Sequence, residues 1–341
     1  MSEHYKSRTA GHRADHANEG GSRELLDVKG LTKWFPVREG IRKKPLKAVD
    51  GISFKLHRGE TLGIVGESGS GKSTLGRCVS RLVQPSAGEV WFESRNLMAL
   101  RARELRKFRK NMQMVFQDPY ASLNPRQRIG ETIGEPLAIH GLAAGKAERG
   151  ERVREILRQV GLKPEFADRY PHEMSGGQRQ RVGIARALAA SPKLIVFDEA
   201  VSALDVSVQA QILNVIQDLQ EQLGLSYLFI SHDLSVVRHV ADRIGVMYLG
   251  EFVEMGPAEE IFTRPRHPYT RALLTAAPVP GGRGRRERVV LKGEIPSPID
   301  PPEGCRFHTR CPLATDVCLR RKPEPRFVSP GHWYACWMDQ D

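Results

Sequence analysis

The chain has 341 residues, 40% hydrophobic and 27% charged, with 52 basic against 40 acidic side chains and a formal charge of +12. That length supports one large core plus an accessory domain. No apolar run approaches the roughly 18–20 residues that cross a bilayer, so the chain is no channel by itself, and the polar stretch Met1 to Arg23 reads as no secretory signal.

In chain order, residues 1–22 read as a disordered tail in which His4, His12 and His16 are solvated. Leu25 to Phe116 reads as short strands and turns leading into and out of a glycine-rich loop and its helix. Thr61 to Val65 is strand-like, and the string GESGSGKST follows from Gly66 to Thr74. It contains G-x4-G-K-S, the phosphate-binding loop, in the strand–loop–helix setting that motif requires. Glycines at 66, 69 and 71 let successive N–H groups of Gly66, Ser68, Gly69, Ser70, Gly71 and Thr74 turn toward one anion. The helix start adds the positive end of its dipole. Lys72 reaches the β- and γ-phosphates, and the Ser73 hydroxyl ligands Mg²⁺.

The basic cluster Arg101 to Lys110 carries Leu100, Leu105, Phe108 and Met112, the pattern of a solvated helix with one buried stripe. A second cluster, Arg283 to Arg288, lies in a glycine-rich linker. Neither shows an aromatic-interleaved binding face. Residues 117–172 read as mostly helical, broken at Gly141 to Gly145. Glu151 to Val160 reads as an amphipathic helix, with Arg152, Arg154 and Arg158 opposite Val153, Ile156, Leu157 and Val160. Ser175, Gly176 and Gly177 open a further helix, and their N–H groups with the Ser175 hydroxyl form a second anion site. Lys193 to Glu199 is an apolar strand ending in two acids. In a parallel sheet such acids lie at the ligand end of the strands. Asp198 then holds Mg²⁺, and Glu199 orients or deprotonates the attacking water. Leu194 to Phe197 and Tyr227 to Ile230 are buried parallel strands with the helix Ser207 to Gln222 between them. Arg243 to Gly256 is a strand pair turning at Gly250 and Glu251. The alternation makes the class α/β.

Taken together, Met174 to Arg181 (MSGGQRQR), the loop at 66–73 upstream and the acidic strand downstream resemble the ATP-binding cassette ATPases. The resemblance implies a phosphate-loop cassette fold at 23–260. Its parts are a RecA-like core, an antiparallel β subdomain and a helical subdomain at about 118–180. It implies that Ser175, Gly176, Gly177 and Gln178 close on ATP held by a partner subunit. It implies further roles for Gln117 on Mg²⁺ and water, Asp205 in the loop crossing the dimer interface, and His232 on the γ-phosphate. Phe35 would stack on adenine, with Trp34 a rival. From about residue 261, HPYTRALL, LKGEIPSP and CRFHTRCP resemble the C-terminal region of ATPase subunits from bacterial dipeptide and oligopeptide importers, as does the insertion Arg38 to Pro45. That resemblance implies a peripheral protein on the cytoplasmic face of the inner membrane. Chiefly on the family resemblance, a membrane surface is expected rather than a nucleic-acid partner. Its partners would be a second ATPase subunit, two permeases and, indirectly, an extracytoplasmic peptide-binding protein. Importers of nickel, glutathione or opines are the alternative, and a soluble cassette ATPase a remote one.

Cys305, Cys311, Cys318 and Cys336 crowd the end of the chain at spacing C-x5-C-x6-C-x17-C. In a reducing compartment two structural disulfides are not expected. The spacing lacks the C-x2–4-C knuckle of structural zinc. Four cysteines also suit an iron–sulfur cluster, and the resemblance implies a 4Fe–4S cluster here. Zinc and free, packed thiols are the alternatives. Cys78 reads as a buried apolar residue.

Overall fold

Two 16-residue strands, β1 (Glu24–Glu39) and β2 (Arg42–His57), open the computed structural model, which describes residues 24–39, 42–118, 122–276, 291 and 293–338. They are longer than the short strands the sequence suggests. The turn signals that break the pattern, Gly30 and Gly51, sit where the β1–β2 register shifts. There they form bulges inside continuous strands rather than ends. With β4 (Ala87–Phe92) and β5 (Arg95–Asn96) these strands form an antiparallel sheet ordered β2-β1-β4-β5.

The second sheet runs β11-β12-β10-β9-β3-β8-β7-β6. Its central strands β9 (Arg243–Tyr248), β3 (Thr61–Val65), β8 (Ser226–Ser231), β7 (Leu194–Asp198) and β6 (Met112–Val115) are parallel. β3, β7 and β8 are buried at every position, because helices or sheet cover both faces. Leu62, Ile64, Leu194, Val196, Leu228 and Ile230 face α1 (Lys72–Val79) and the antiparallel sheet. Ile195, Phe197, Tyr227 and Phe229 face α5 (Gly176–Leu188), α6 (Val206–Leu223) and α7 (Leu234–Val240). Period-2 alternation thus splits one apolar run between two cores. This is the expected α/β phosphate-loop architecture.

Between β5 and β6, α2 (Ala102–Phe108) is shorter than the expected 101–110 helix. A 3-10 turn follows, and Met112 opens β6 instead of completing a helical stripe. Phe108 is buried against Phe92, ring centroids 5.1 Å apart. The region after β6 is helical as expected, with α3 (Ile129–Ile139) and α4 (Lys146–Gln159). α4 starts five residues before the predicted Glu151 and buries Val153, Ile156 and Leu157.

β9 and β10 (Glu251–Pro257) form the expected antiparallel pair. The turn is Leu249–Gly250, both with positive φ (43° and 85°), the backbone a tight hairpin demands. After α8 (Ala258–Thr263) and α9 (Pro268–Ala276), the chain passes through α10 (Asp316–Arg320) into β11 (Arg326–Ser329) and β12 (His332–Tyr334). β12 pairs with β10, Glu254 opposite Tyr334, so the tail extends the main sheet. Buried His332 ties this edge together: its ring lies 3.0 Å from the Glu254 carboxylate and 2.8 Å from that of Glu260. The tail has little core of its own and borrows the cassette's. Phe307 is buried among Tyr248, Tyr269 and His267, with centroids 5.3, 5.3 and 5.6 Å away. Truncating this ring leaves a cavity, so Phe307→Ala is expected to cost about 3–5 kcal/mol. Thermal unfolding of the full chain checks it, and an unchanged midpoint would mean that the tail is not packed on this core.

Candidate functional site

The phosphate loop bridges β3 and α1. Its sharp course demands glycine at two points. Gly66 and Gly71 have φ of 156° and 103°, and a Cβ on them would sit 2.1 Å from the Met247 carbonyl oxygen and 1.9 Å from that of Ala48. The end of β9 and the middle of β2 therefore mould the loop from outside. Gly250 N–H donates to the Ser70 carbonyl at 2.9 Å, and Asp50 N–H donates to the Gly250 carbonyl at 2.9 Å. Ser68 and Gly69 stay exposed. The helix start at Gly71 has neither a side-chain cap nor an acidic residue in its first turn, which leaves its N–H groups and dipole free for an anion.

Lys72 is the first residue of α1 and is only 3% exposed. Its ammonium donates to the Gly66 and Glu67 carbonyls at 2.8 and 2.9 Å and lies 3.4 Å from the Ser70 hydroxyl. Burial pushes its pKa below the ordinary lysine value, opposed by Glu199, Asp198 and Glu67. Glu199 Oε1 is 4.0 Å away.

β7 delivers the two acids. Asp198 is 2% exposed, and burial raises its pKa, opposed by a hydrogen bond from Ser73 and by Arg77, 3.6 Å away. Its Oδ1 is buried without a hydrogen-bond partner. An orphaned carboxylate oxygen beside a serine hydroxyl suits a hard, oxygen-seeking cation, so these residues fit Mg²⁺. Glu199 takes the left-handed backbone region, φ 50°, which a non-glycine residue rarely adopts. Hydrogen bonds hold it there: its N–H donates to the Ile230 carbonyl at 2.9 Å, and its carbonyl accepts from Ser202 N–H and Oγ. The turn brings the carboxylate to the centre of the site. Gln117 donates to Oε2 at 3.1 Å, and His232 Nδ1 lies 3.2 Å from the same oxygen. Gln117 follows β6, and His232 follows β8. Three segments, at 72, 117 and 232, thus converge on the carboxylate carried by a fourth.

The other predicted residues lie apart from this group. Ser175 is the N-cap of α5: its Oγ accepts the Gln178 N–H at 3.4 Å, and its own N–H donates to Gln178 Oε1 at 3.0 Å. Gly176 and Gly177 form the first turn. Among the described residues, no hydrogen bond or ion pair joins Ser175, Gly176, Gly177 or Gln178 to residues 66–73. Asp205 is the N-cap of α6, and the next residue, Val206, is 82% exposed. Phe35 lies beneath Lys33, whose ammonium is 4.7 Å from the ring centroid. The rival, Trp34, donates from Nε1 to Asp50 at 3.2 Å.

The four tail cysteines share one neighbourhood without forming a ligand cluster. Cys305 N–H donates to the Cys318 carbonyl at 2.8 Å. Burial pushes the Cys305 thiol up to about 12, with Cys318, Cys336 and Cys311 adding to the rise and the Phe307 N–H opposing it. Burial also raises Cys311 and Cys336, whose sulfurs accept from the Leu313 and Met338 N–H groups. The thiols are unbridged, and no group of three metal-binding side chains is assembled among the described residues. The predicted cluster therefore has no ligand geometry in this structure.

Sequence reasoning missed the contacts of Glu67. Arg310, in the tail, grips its carboxylate through two hydrogen bonds, and the Tyr269 hydroxyl accepts its N–H. The one signal was chemical: an acid inside an anion-binding loop requires a cation somewhere.

Residues 49–202 match the family model "ABC transporter", and residues 253–318 match "Oligopeptide/dipeptide transporter, C-terminal region". The oligopeptide transport ATP-binding protein AppF of Bacillus subtilis is 55% identical over 328 residues, 94% of this chain and 98% of AppF. The chain belongs to the ATP-binding proteins of the ABC transporter family. The dipeptide transport ATP-binding protein DppF of Haemophilus influenzae is 52% identical over 92% of this chain and 96% of its own length. Among solved structures, the dimeric ATP-binding cassette MJ0796 bound to ADP and Pi superposes with a TM-score of 0.62 at 32% identity, covering 69% of this chain and 99% of that one. The cassette cbiO1 of Clostridium perfringens gives 0.62 at 27% identity, covering 71% and 92%. Both likenesses leave about three-tenths of this chain unmatched.

The loop geometry makes Gly71→Ala a direct check. A Cβ there must displace the Ala48 carbonyl or the loop itself, so MgATP binding by the full chain should weaken by about tenfold or more. Equilibrium titration measures it, and affinity equal to wild type contradicts the observed loop course.

Proposed function

We propose that the chain binds and hydrolyses ATP to power the import of dipeptides or oligopeptides through an ABC transporter. The observation that carries the catalytic reading is the convergence of Lys72, Gln117 and His232 on Glu199, beside Asp198 and Ser73. The match of residues 253–318 and the names of the relatives support the peptide class. No helix among the described residues is long and apolar enough to cross a membrane, so other subunits supply the pore. We place the chain on the cytoplasmic face of the inner membrane, against two permeases and beside a second ATPase subunit. An extracytoplasmic peptide-binding protein acts with them indirectly. The residues after Gln117 face the permeases; of these, Pro119, Tyr120 and Ala121 lie outside the described residues.

Within the site each residue has a role. The N–H groups of Gly66, Ser68, Gly69, Ser70, Gly71 and Thr74 and the Lys72 ammonium hold the phosphates. Ser73, Gln117 and Asp198 would hold Mg²⁺, which would supply positive charge to the transferring phosphate. Glu199 accepts a proton from water as its oxygen attacks the γ-phosphorus and the bond to ADP breaks. Gln117 and His232 hold the carboxylate and the water in line. Phe35 stacks on adenine. Ser175, Gly176, Gly177 and Gln178, with Asp205, serve the ATP of the partner subunit, since they form no bond to their own phosphate loop. Replacing Glu199 by Gln removes the proton acceptor and keeps the shape. That variant should bind ATP and lose at least about a hundredfold in turnover; phosphate release near the wild-type rate would rule Glu199 out as the base.

We propose in addition that Cys305, Cys311, Cys318 and Cys336 hold a 4Fe–4S cluster. The reading rests on the four cysteines of the tail, their spacing and the tail's likeness to the peptide-importer subunits, and it requires the thiols to draw together from their positions here. Its role is structural, joining strands of a tail with little core. Protein purified without oxygen should be brown and carry about four irons per chain. A colourless preparation with four titratable tail thiols removes the cluster, and stoichiometric zinc replaces it with a zinc site.

A further inference from the structure

Glu67 puts a negative charge into a loop that must hold a triphosphate. The tail takes up that charge. Arg310 Nη1 and Nη2 donate to Glu67 Oε2 and Oε1 at 2.6 and 3.1 Å, a two-pronged pair with the arginine side chain 6% exposed. Such pairs fix geometry as well as charge. The backbone of Glu67 is held as well. Its N–H donates to the buried Tyr269 hydroxyl at 2.8 Å, and its carbonyl accepts from Lys72 at 2.9 Å and from Ser70 N–H at 3.2 Å. Arg310 itself stands on a firm base. It ends a 3-10 turn in which its N–H donates to the Phe307 carbonyl at 3.0 Å, and Phe307 is buried between Tyr248 and Tyr269. The same turn is bounded by Cys305 and Cys311.

We propose that Arg310, assisted by Tyr269, is a positioning residue for ATP: it neutralises Glu67 and anchors the front of the phosphate loop without touching the nucleotide. The proposal rests on the reading of residues 66–73 as the ATP site. It makes the tail part of that site rather than an appendage. Without Arg310 the Glu67 carboxylate is freed beside the phosphates and repels them. A lysine at this position keeps the charge and loses the fork.

The test is equilibrium binding of MgATP to the purified full-length chain, with steady-state hydrolysis alongside. Binding by the wild type checks the loop assignment independently; the variants check Arg310. Loss of a charged, buried hydrogen-bonded pair is expected to weaken MgATP binding by about tenfold in Arg310→Ala. KM for ATP should rise in step, with kcat falling less than about twofold. The decisive variant is Arg310→Ala combined with Glu67→Gln. Removing the stranded charge should restore affinity to within about threefold of wild type, a rescue that a merely loosened tail would not show. If Arg310→Ala does not fold, Arg310→Lys alone and with Glu67→Gln gives the same ordering with smaller steps. Wild-type affinity in Arg310→Ala, or a double variant as weak as the single one, overturns the proposal.

Discussion

The site depends on a lysine ammonium held out of water. Lys72 is buried at the start of a helix whose dipole already disfavours a positive charge, so desolvation and the dipole both act against it. Three things offset this: the carbonyls of its own loop, the carboxylates of Glu199 and Asp198, and the carboxylate of Glu67. The arrangement sets one buried cation among three carboxylates. The loop, the acidic strand and the residues after β6 and β8 must all arrive at one place for it to be stable. The parallel sheet brings them there, because the carboxyl ends of β3, β8, β7 and β6 lie side by side.

The same electrostatic demand accounts for the tail. A carboxylate at Glu67 helps hold Lys72 before an anion binds but opposes the anion itself. Arg310 reconciles the two by drawing the carboxylate toward the tail. The tail can do so only because it is seated on the cassette core. Phe307 fills a place among Tyr248, Tyr269 and His267, and β12 adds to the edge of the sheet through β10. A second arginine, Arg306, pairs with Asp50 and Glu251, joining the same turn to β2 and β10. Fold, tail and site are thus tied through a few ion pairs and the aromatic cluster around Phe307.

What the sequence made legible was what is local or strictly ordered. The apolar runs at 61–65, 194–198 and 226–231 are buried strands because each satisfies two cores at once. The loop and the acidic strand were legible from the residues, Gln117 and His232 only through the family resemblance, and the structure brings Lys72, Gln117, Asp198, Glu199 and His232 together. The first two strands are longer than the short ones expected because Gly30 and Gly51 sit at bulges inside them rather than at their ends. Met112 was read as the end of a helical stripe, yet its partners are in β7. The pairing of β12 left no signal, since a three-residue edge strand has too few positions to show alternation. Arg310 and Glu67 are 243 positions apart, and nothing local to either names the other. The cysteine spacing foretold a shared neighbourhood but not a metal-holding geometry.

On the proposed function, residues 66–73, with Asp198 and Glu199, form the chamber where ATP is hydrolysed. Vanadate tests it most directly, because with ADP it occupies the γ-phosphate position and cuts nearby backbone under ultraviolet light. The assembled transporter, incubated with MgATP and vanadate and then irradiated, should retain ADP and be cleaved in this chain within residues 66–73. Retained ADP with cleavage confined to other parts of the chain, or no vanadate-dependent retention at all, would contradict the account.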